Sequence, residues 1–128
     1  MTKINVGVSF GHAPKKEFLK EFNVAFATGN SDFILAHVSE DILWNMHGDQ
    51  QIKGYDAFKQ SIESMKSHTA DELSIHSIIT HGKEAALSGE IKMGGKTYNF
   101  CDIYRFKSAG STIIEQLDSY VVEDKIKS

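Results

Sequence analysis

An aspartate in the second half of the chain lies in an aromatic run. Alternation along an extended strand puts Asp102 on the same face as Phe100, Tyr104 and Phe106. A carboxylate surrounded by aromatic side chains loses hydration, and this loss raises its pKa. A carboxylic acid held neutral in this way donates a hydrogen bond to a developing negative charge. We therefore predict that Asp102 is a catalytic acid or hydrogen-bond donor.

A second aspartate lies in the last strand-like stretch. Asp118 shares a strand face with Gln116 and Tyr120. If that face lines the same space as Asp102, the two carboxylates divide the roles of acid and base, and Asp118 acts as base or positions a water. If it is the outer face of a sheet, Asp118 is a solvated surface residue, and both interpretations stay open. The opposite face of the stretch carries Leu117, Ser119 and Val121.

Further candidates surround the single tryptophan. Trp44 and Asn45 occupy adjacent positions of a strand-like run, so they face opposite sides unless a bulge intervenes. The alternation of Ile42, Trp44 and Met46 favours Trp44 as the inward residue, but both Trp44 and Asn45 stay candidates for lining a pocket. His47 beside them is the histidine that suits acid–base work near neutral pH.

Other chemistries find little support in the sequence. The six histidines include no pair at helical metal-ligand spacing, and His76 and His81 face opposite ways on one strand, so no metal site is predicted. Phosphate-binding loops and nucleophile elbows are absent, and no cofactor is expected. Arg105 is the single arginine among 14 basic residues and the net charge is -3, which disfavours a nucleic-acid partner.

Composition is typical of one compact domain. The 128 residues are 41% hydrophobic with one proline, and we expect a single domain over 1–128 with an arm at 1–13 and a tail at 124–128. No run approaches the roughly 20 apolar residues of a membrane span, and no signal peptide is recognised, so no membrane partner is expected. The lone Cys101 cannot form an internal disulfide, and a reduced thiol suits a cytoplasmic protein.

Helical periodicity dominates the first half of the chain. Pro14 is compatible with a first helical turn, and apolar residues at i, i+4, i+7 and i+8 predict a helix that ends at Gly29. Ser31 is the predicted N-cap of a second, shorter helix that includes Val38. A third helix is predicted over Tyr55–Lys66.

Strand patterns joined by short turns fill the second half. Gly94 and Gly95 connect two of the runs as a two-residue hairpin, which glycine favours because it accepts positive φ. Such connections predict an antiparallel sheet, and helices gathered before a meander predict an α+β fold with three helices on one sheet face. The predicted strands are 42–47, 50–53, 72–81, 84–93, 96–107 and 112–122, while the first eleven residues fit either a short strand or a loose arm.

Two segments and their order resemble a known superfamily. Ser39–Trp44 leads to Ile52–Gly54 before the third helix, and Cys101–Phe106 precedes a glycine-containing turn and the last strand. From about Lys15 to Val122, this order is similar to the nuclear transport factor 2-like (cystatin-like) superfamily, in particular its SnoaL-like and steroid isomerase-like branches. The resemblance implies a cone-shaped sheet closed by the helices, and a homodimer formed through the sheet.

The cone of this superfamily encloses an apolar pocket, and the resemblance implies a small, mostly apolar ligand. Such a site combines apolar walls with a few polar groups. The side chains that we expect to line it are Phe22, Phe26, Trp44, Asn45, His47, Phe58, Phe100, Tyr104, Gln116 and Tyr120.

The resemblance assigns roles to a few residues. The strand aspartate of the steroid isomerases falls on Asp102, their general-base aspartate on Asn45 and their helix tyrosine on Phe22. Because an amide cannot abstract a proton, ordinary steroid isomerisation is not predicted. The limonene epoxide hydrolases imply instead an aspartate pair at Asp102 and Asp118, with their bridging arginine falling near Phe100.

These observations lead to two hypotheses about function. The first is a pocket protein that binds or converts a small apolar molecule, as an isomerase, a cyclase or a hydrolase with acid–base aspartates. The second is a non-catalytic module for ligand binding or association, because several catalytic groups of the related enzymes are missing. A shared fold does not choose between them, since one fold hosts many activities.

Overall fold

The computed structural model describes residues 1–7 and 13–126, so part of the predicted arm and of the predicted tail lies outside the described residues. Within these residues, three helices and seven strands form an α+β fold, which is the predicted class. The seventh strand lies in the N-terminal segment that fitted either a short strand or a loose arm. The helices are α1 (Pro14–Thr28), α2 (Ser31–Leu35) and α3 (Tyr55–Met65). The strands are β1 (Lys3–Val6), β2 (Val38–Met46), β3 (Gln50–Lys53), β4 (Glu72–His81), β5 (Glu84–Met93), β6 (Lys96–Phe106) and β7 (Ile114–Glu123).

The junction between α1 and α2 follows from local capping. Gly29 ends α1 in the left-handed conformation with φ 77°. A Cβ at this position would collide with the backbone carbonyl of Lys66, the residue that follows α3. The N-cap of α2 is Asn30, whose side chain accepts a hydrogen bond from the backbone N–H of Phe33 at 3.3 Å. The prediction of Ser31 as the cap was therefore wrong by one residue. The inclusion of Val38 in α2 was also wrong, because Val38 begins β2.

The sheet is mixed rather than wholly antiparallel. Its strand order is β1-β4-β5-β6-β7-β2-β3, and the meander from β4 to β7 is antiparallel, as its short turns require. However, β1 pairs with β4 and β2 pairs with β7 in parallel. The long connections that contain the helices permit these parallel pairings, which short turns forbid.

Pairing of β7 with its neighbours decides which side chains face the helices. Ser119 lies opposite Asp102, while Asp118 lies opposite Ile103. On the other side of β7, Asn45 lies opposite Asp118. Because successive residues of a strand alternate between faces, Asp102 and Ser119 share the inner face, whereas Asp118 and Asn45 share the outer face.

The inner face and the helices enclose the hydrophobic core. Phe58 and Tyr104 were predicted as cavity walls, but their side chains are almost completely buried in this core and do not line the cavity described below. Phe22 and Phe106 are buried beside Tyr104. Within the described ranges, no helix is long and apolar enough to cross a membrane.

Candidate functional site

A cavity of about 480 Å³ lies between α1, the end of α3 and the inner face of the sheet. This volume is within the range of small-molecule sites in proteins. Its inner part is lined by Phe22, Asn23, Trp44, Asp102, Leu117 and Ser119. The remaining lining residues are Phe26, Met46, His47, Gly48, Asp49, Met65, Leu73, Ile91, Phe100 and Val121.

Four of the predicted aromatic residues and one predicted carboxylate meet in this cavity. Phe22, Phe26, Trp44 and Phe100 line it together with Asp102. Trp44 is inward because the alternation of β2 is regular at that point, so the hydrophobic pattern was a better guide than the alignment that favoured Asn45. Contact of these side chains with a ligand stays a prediction.

The carboxyl group of Asp102 is held by two hydroxyl groups. Tyr104 Oη donates to Asp102 Oδ2 at 3.3 Å, and the hydroxyl of Ser119 donates to the same carboxyl group. Burial raises the pKa of Asp102 to about 6, although both hydroxyl hydrogen bonds act in the opposite direction. Desolvation is the larger effect, since the surrounding walls are apolar.

Further hydrogen bonds fix the two hydroxyl groups. Asn23 Nδ2 donates to Tyr104 Oη at 2.8 Å and to the carbonyl of Leu19 at 2.8 Å. Trp44 Nε1 donates to Ser119 Oγ at 3.0 Å. Because both hydroxyl oxygens accept these hydrogen bonds, the hydroxyl protons of Tyr104 and Ser119 are free to be donated to Asp102. Asn23 on α1 and Trp44 on β2 thus fix the positions of the two donors.

The phenol of Tyr104 serves this network only as a neutral group. Its burial, together with the nearby charge of Asp102, raises the pKa of Tyr104 well above the usual value. The hydroxyl group is therefore protonated at neutral pH and donates to Asp102. Since Tyr104 does not line the cavity, it is a positioning residue.

Asn23 and Ser119 were not among the predicted site residues. Asn23 is a polar residue on the apolar stripe of α1, four positions after Leu19, and this position is a sequence signal that could have found it. Ser119 alternates with Leu117 and Val121, so it was assigned to their face without being recognised as a partner of Asp102. Only the pairing of β6 with β7 brings Ser119 and Asp102 together.

Asp118 lies on the opposite face of the sheet and does not line the cavity. Its carboxylate accepts hydrogen bonds from Asn45 Nδ2 at 2.9 Å, His47 Nε2 at 2.8 Å and Gln116 Nε2 at 3.0 Å. Partial burial alone would raise the pKa of Asp118, but these three donors together hold it below its usual value. The carboxylate is therefore ionised at neutral pH, and His47 Nε2 carries a proton toward it.

The outer-face cluster contains three residues that we predicted to line the pocket. Asn45, Gln116 and Tyr120 lie with Asp118, because β7 turns this set of side chains away from the helices. Asp102 and Asp118 therefore do not face the same cavity, contrary to the arrangement implied by the limonene epoxide hydrolases. His47 joins the two regions, since its ring stacks on Tyr120 at 4.3 Å and also lines the cavity.

The residues that line the cavity include no arginine. Among residues 1–7 and 13–126, no group of three or more His, Cys, Asp or Glu side chains is arranged to hold a metal ion. Arg105 points to the outer face and lies 3.6 Å from Glu84. Asp102 is therefore the ionisable group at the inner end of the cavity, where Asn23 and Ser119 supply the other polar contacts.

Comparison with known sequences identifies the family. Residues 19–115, which include Asp102, match the SnoaL-like domain. The chain belongs to the SnoaL-like domain family. No curated protein sequence matches it significantly.

Solved structures confirm the predicted fold of this SnoaL-like domain. An NTF2-like protein of unknown function from Cytophaga hutchinsonii has a TM-score of 0.67 at 20% identity, with 89% of this chain and 95% of that chain covered. A putative ketosteroid isomerase from Kribbella flavida has a TM-score of 0.70 at 12% identity, with 86% and 78% covered. An LEH-like epoxide hydrolase from M. tuberculosis has a TM-score of 0.70 at 16% identity, with 88% of this chain and 84% of that chain covered.

Proposed function

We propose that this SnoaL-like domain binds a small, mostly apolar molecule that carries an oxygen group, and that Asp102 transfers a proton on it. The observation that carries the proposal is an aspartate with a pKa of about 6 at the inner end of an apolar cavity. A group that titrates near neutral pH is suited to both removal and return of a proton. The similarity to a putative ketosteroid isomerase supports this class of reaction.

The geometry favours isomerisation or cyclisation with one carboxylate over hydrolysis with two. In the ionised state, Asp102 removes a proton from the carbon beside a carbonyl group, and the electron pair moves toward the carbonyl oxygen. Where the ligand has a carbon–carbon double bond beside that carbon, the protonated acid returns the proton to the far carbon of the double bond. The double bond then moves into conjugation and the carbonyl re-forms, so that atoms and charge balance without a water. Hydrolysis by a carboxylate pair would need Asp118 in the cavity, although an LEH-like epoxide hydrolase shares the fold.

Proton exchange is the direct test of this proposal. We would incubate the protein in D₂O with cyclohexanone and with 2-cyclohexen-1-one, and follow loss of the protons beside the carbonyl group by NMR. Exchange should rise with pH through about 6, because Asp102 must be ionised to act as the base. The Asp102→Asn variant should lose at least roughly 100-fold in rate, which is a typical contribution of general acid–base catalysis.

Two further variants make the result specific. Asp56→Asn is the matched control, because Asp56 is exposed on α3 and is remote from the cavity lining. Asp118→Asn tests whether a second carboxylate is needed. If this variant lost proton exchange, a mechanism with two carboxylates would be favoured. If Asp102→Asn exchanges both probes as fast as the unchanged protein, the proposed catalytic role is refuted. If it also binds them equally well, Asp102 has no role in recognition either.

The outer sheet face supports a second proposal, homodimer formation. Large hydrophobic side chains are exposed there, with Ile79 at 65% and Tyr120 at 46%. Burial of such surface against a second copy is favourable because it removes apolar area from water. This association is compatible with the non-catalytic alternative as well as with an enzyme, since the cavity opens on the other side of the sheet.

A further inference from the structure

A second cavity adjoins the one that holds Asp102. It has a volume of about 530 Å³ and lies between the ends of α1 and α3, helix α2 and strand β5. Phe26, Met65 and Ile91 line both cavities, so the two spaces meet at these three apolar side chains. The proposed chemistry at Asp102 uses only the first cavity.

The junction consists of apolar side chains that are partly exposed. Phe26 and Ile91 are half-buried, and Met65 is 43% exposed. Methionine has three rotatable side-chain bonds and adapts its shape to irregular space. A ligand that passes the junction therefore needs to displace only the flexible side chain of Met65, and the buried core stays in place.

The second cavity selects an apolar and uncharged group. Its walls include Ile34, Ile62 and Met93, and the polar residues that line it, Ser31, Ser64, Lys66 and His68, belong to the ends of helices α2 and α3 and to the segment after α3. The ammonium group of Lys66 lies 2.7 Å from the carboxylate of Glu63, so its charge is already paired. A carboxylate on the ligand would find no unpaired lysine among the residues that line this cavity.

We infer that the two cavities form one elongated site for an amphiphile, with its oxygen group at Asp102 and an unbranched apolar chain that passes Met65 and ends beside Met93. This inference rests on the proposed function and specifies its substrate class. Each cavity alone holds a small molecule, whereas together they accommodate a chain too long for the first.

The methionines of the chain provide a natural set of reporters. Of the four in the sequence, Met46 lines only the first cavity, Met65 lines both and Met93 lines only the second. Met1 is fully exposed at the terminus and lines neither. Trp44, the single tryptophan, lines the first cavity and reports binding by fluorescence.

The experiment titrates the protein, labelled with ¹³C at the methionine methyl groups, with straight-chain 2-alkanones from 2-hexanone to 2-dodecanone. The short ketone should shift the signals of Met46 and Met65 only, and the long ketone should also shift Met93, with Met1 as the internal control. Affinity from Trp44 fluorescence should rise about fourfold per added methylene, the gain expected from burial of one CH₂ group.

A pair of variants tests the same point by affinity. Met93→Arg puts a charged group into the second cavity and should weaken binding of 2-dodecanone at least tenfold while leaving 2-hexanone unaffected. Ala57→Arg adds the same charged group at an exposed position of α3 that lines neither cavity, and it should change neither affinity. Far-UV circular dichroism confirms that both variants fold.

The possible failures are distinguishable. If saturating 2-dodecanone shifts Met46 but leaves Met93 unchanged, or if affinity is independent of chain length, the elongated site is refuted and the chemistry at Asp102 stands. If no ketone of any length affects Met46 or Trp44, the proposed binding of small carbonyl compounds is refuted together with the elongated site.

Discussion

Replacement of Asp102 by asparagine should remove a specific pH dependence of stability. In the folded protein the pKa of Asp102 is about 6, whereas its ordinary value is 3.8. Since the folded state holds the proton more tightly than the unfolded state, stability is fully present below the unfolded pKa and is lost as pH rises through the folded pKa. One pKa unit corresponds to 1.36 kcal/mol, so the loss is about 3 kcal/mol.

The asparagine variant lacks this titration. We would measure the free energy of unfolding by urea denaturation for both proteins across about pH 3 to pH 7, a window that extends beyond both pKa values. The stability of the unchanged protein minus that of Asp102→Asn should fall by about 3 kcal/mol over this window. Groups that titrate equally in both proteins cancel in this difference.

A second aspartate provides a control of opposite sign. The pKa of Asp118 is lowered in the folded state, so its contribution to stability is present above the unfolded pKa and is lost as pH falls. The difference curve for Asp118→Asn should therefore slope the other way. A flat difference curve for Asp102→Asn, or one that parallels the curve for Asp118→Asn, would refute burial of the Asp102 carboxyl group.

Three other perturbations test neighbouring features. Tyr104→Phe removes a donor to Asp102 and should cost about 1–2 kcal/mol in urea denaturation. It should also move the pH midpoint of proton exchange upward, because that hydrogen bond lowers the pKa of Asp102. Gly89→Ala should cost about 1–3 kcal/mol, because a Cβ there would collide with the backbone carbonyl oxygen of Ser74 and would lie 3.1 Å from the Phe100 ring. Displacement of that ring should also weaken ligand quenching of tryptophan fluorescence. Ile79→Lys should convert the expected dimer into a monomer by light scattering.

Each of these variants has a matched control and a contrary result. Tyr98→Phe removes a phenol elsewhere on β6, and an unchanged midpoint in Tyr104→Phe would exclude its role in positioning Asp102. Gly110→Ala adds a Cβ where no atom lies within 4 Å, and equal stability of both alanine variants would contradict the close contact at Gly89. A dimer that persists in Ile79→Lys would exclude that part of the outer face from the interface. Gln60→Lys, at an exposed position of α3, controls for the added positive charge.

Local pattern determined most of the elements and one essential feature of the site. The bounds of β4 and β5 were predicted to the residue, because short glycine-containing turns mark the ends of strands strongly. Alternation along β6 put Asp102 among aromatic residues, and the raised pKa of its carboxyl group followed from that position. Both inferences need only neighbours in the chain.

Tertiary structure alone decided which face of β7 belongs to the cavity. Its two faces, one with Ser119 and one with Asp118, are both mixed in polarity, so the alternation was clear but its direction was not. The parallel pairing with β2 and the antiparallel pairing with β6 turned Ser119 inward and Asp118 outward. These contacts join segments far apart in the sequence, and no local pattern contains them.

The same physical reason separates the aromatic residues of the core from those of the cavity. The sequence by itself determined that Phe58 and Phe100 are apolar and face the space between helices and sheet. Only packing decided that Phe58 is completely buried, whereas Phe100 lines the cavity against Gly89. Whether an inward side chain fills the core or borders empty space depends on what the opposite elements supply, and that depends on the complete fold.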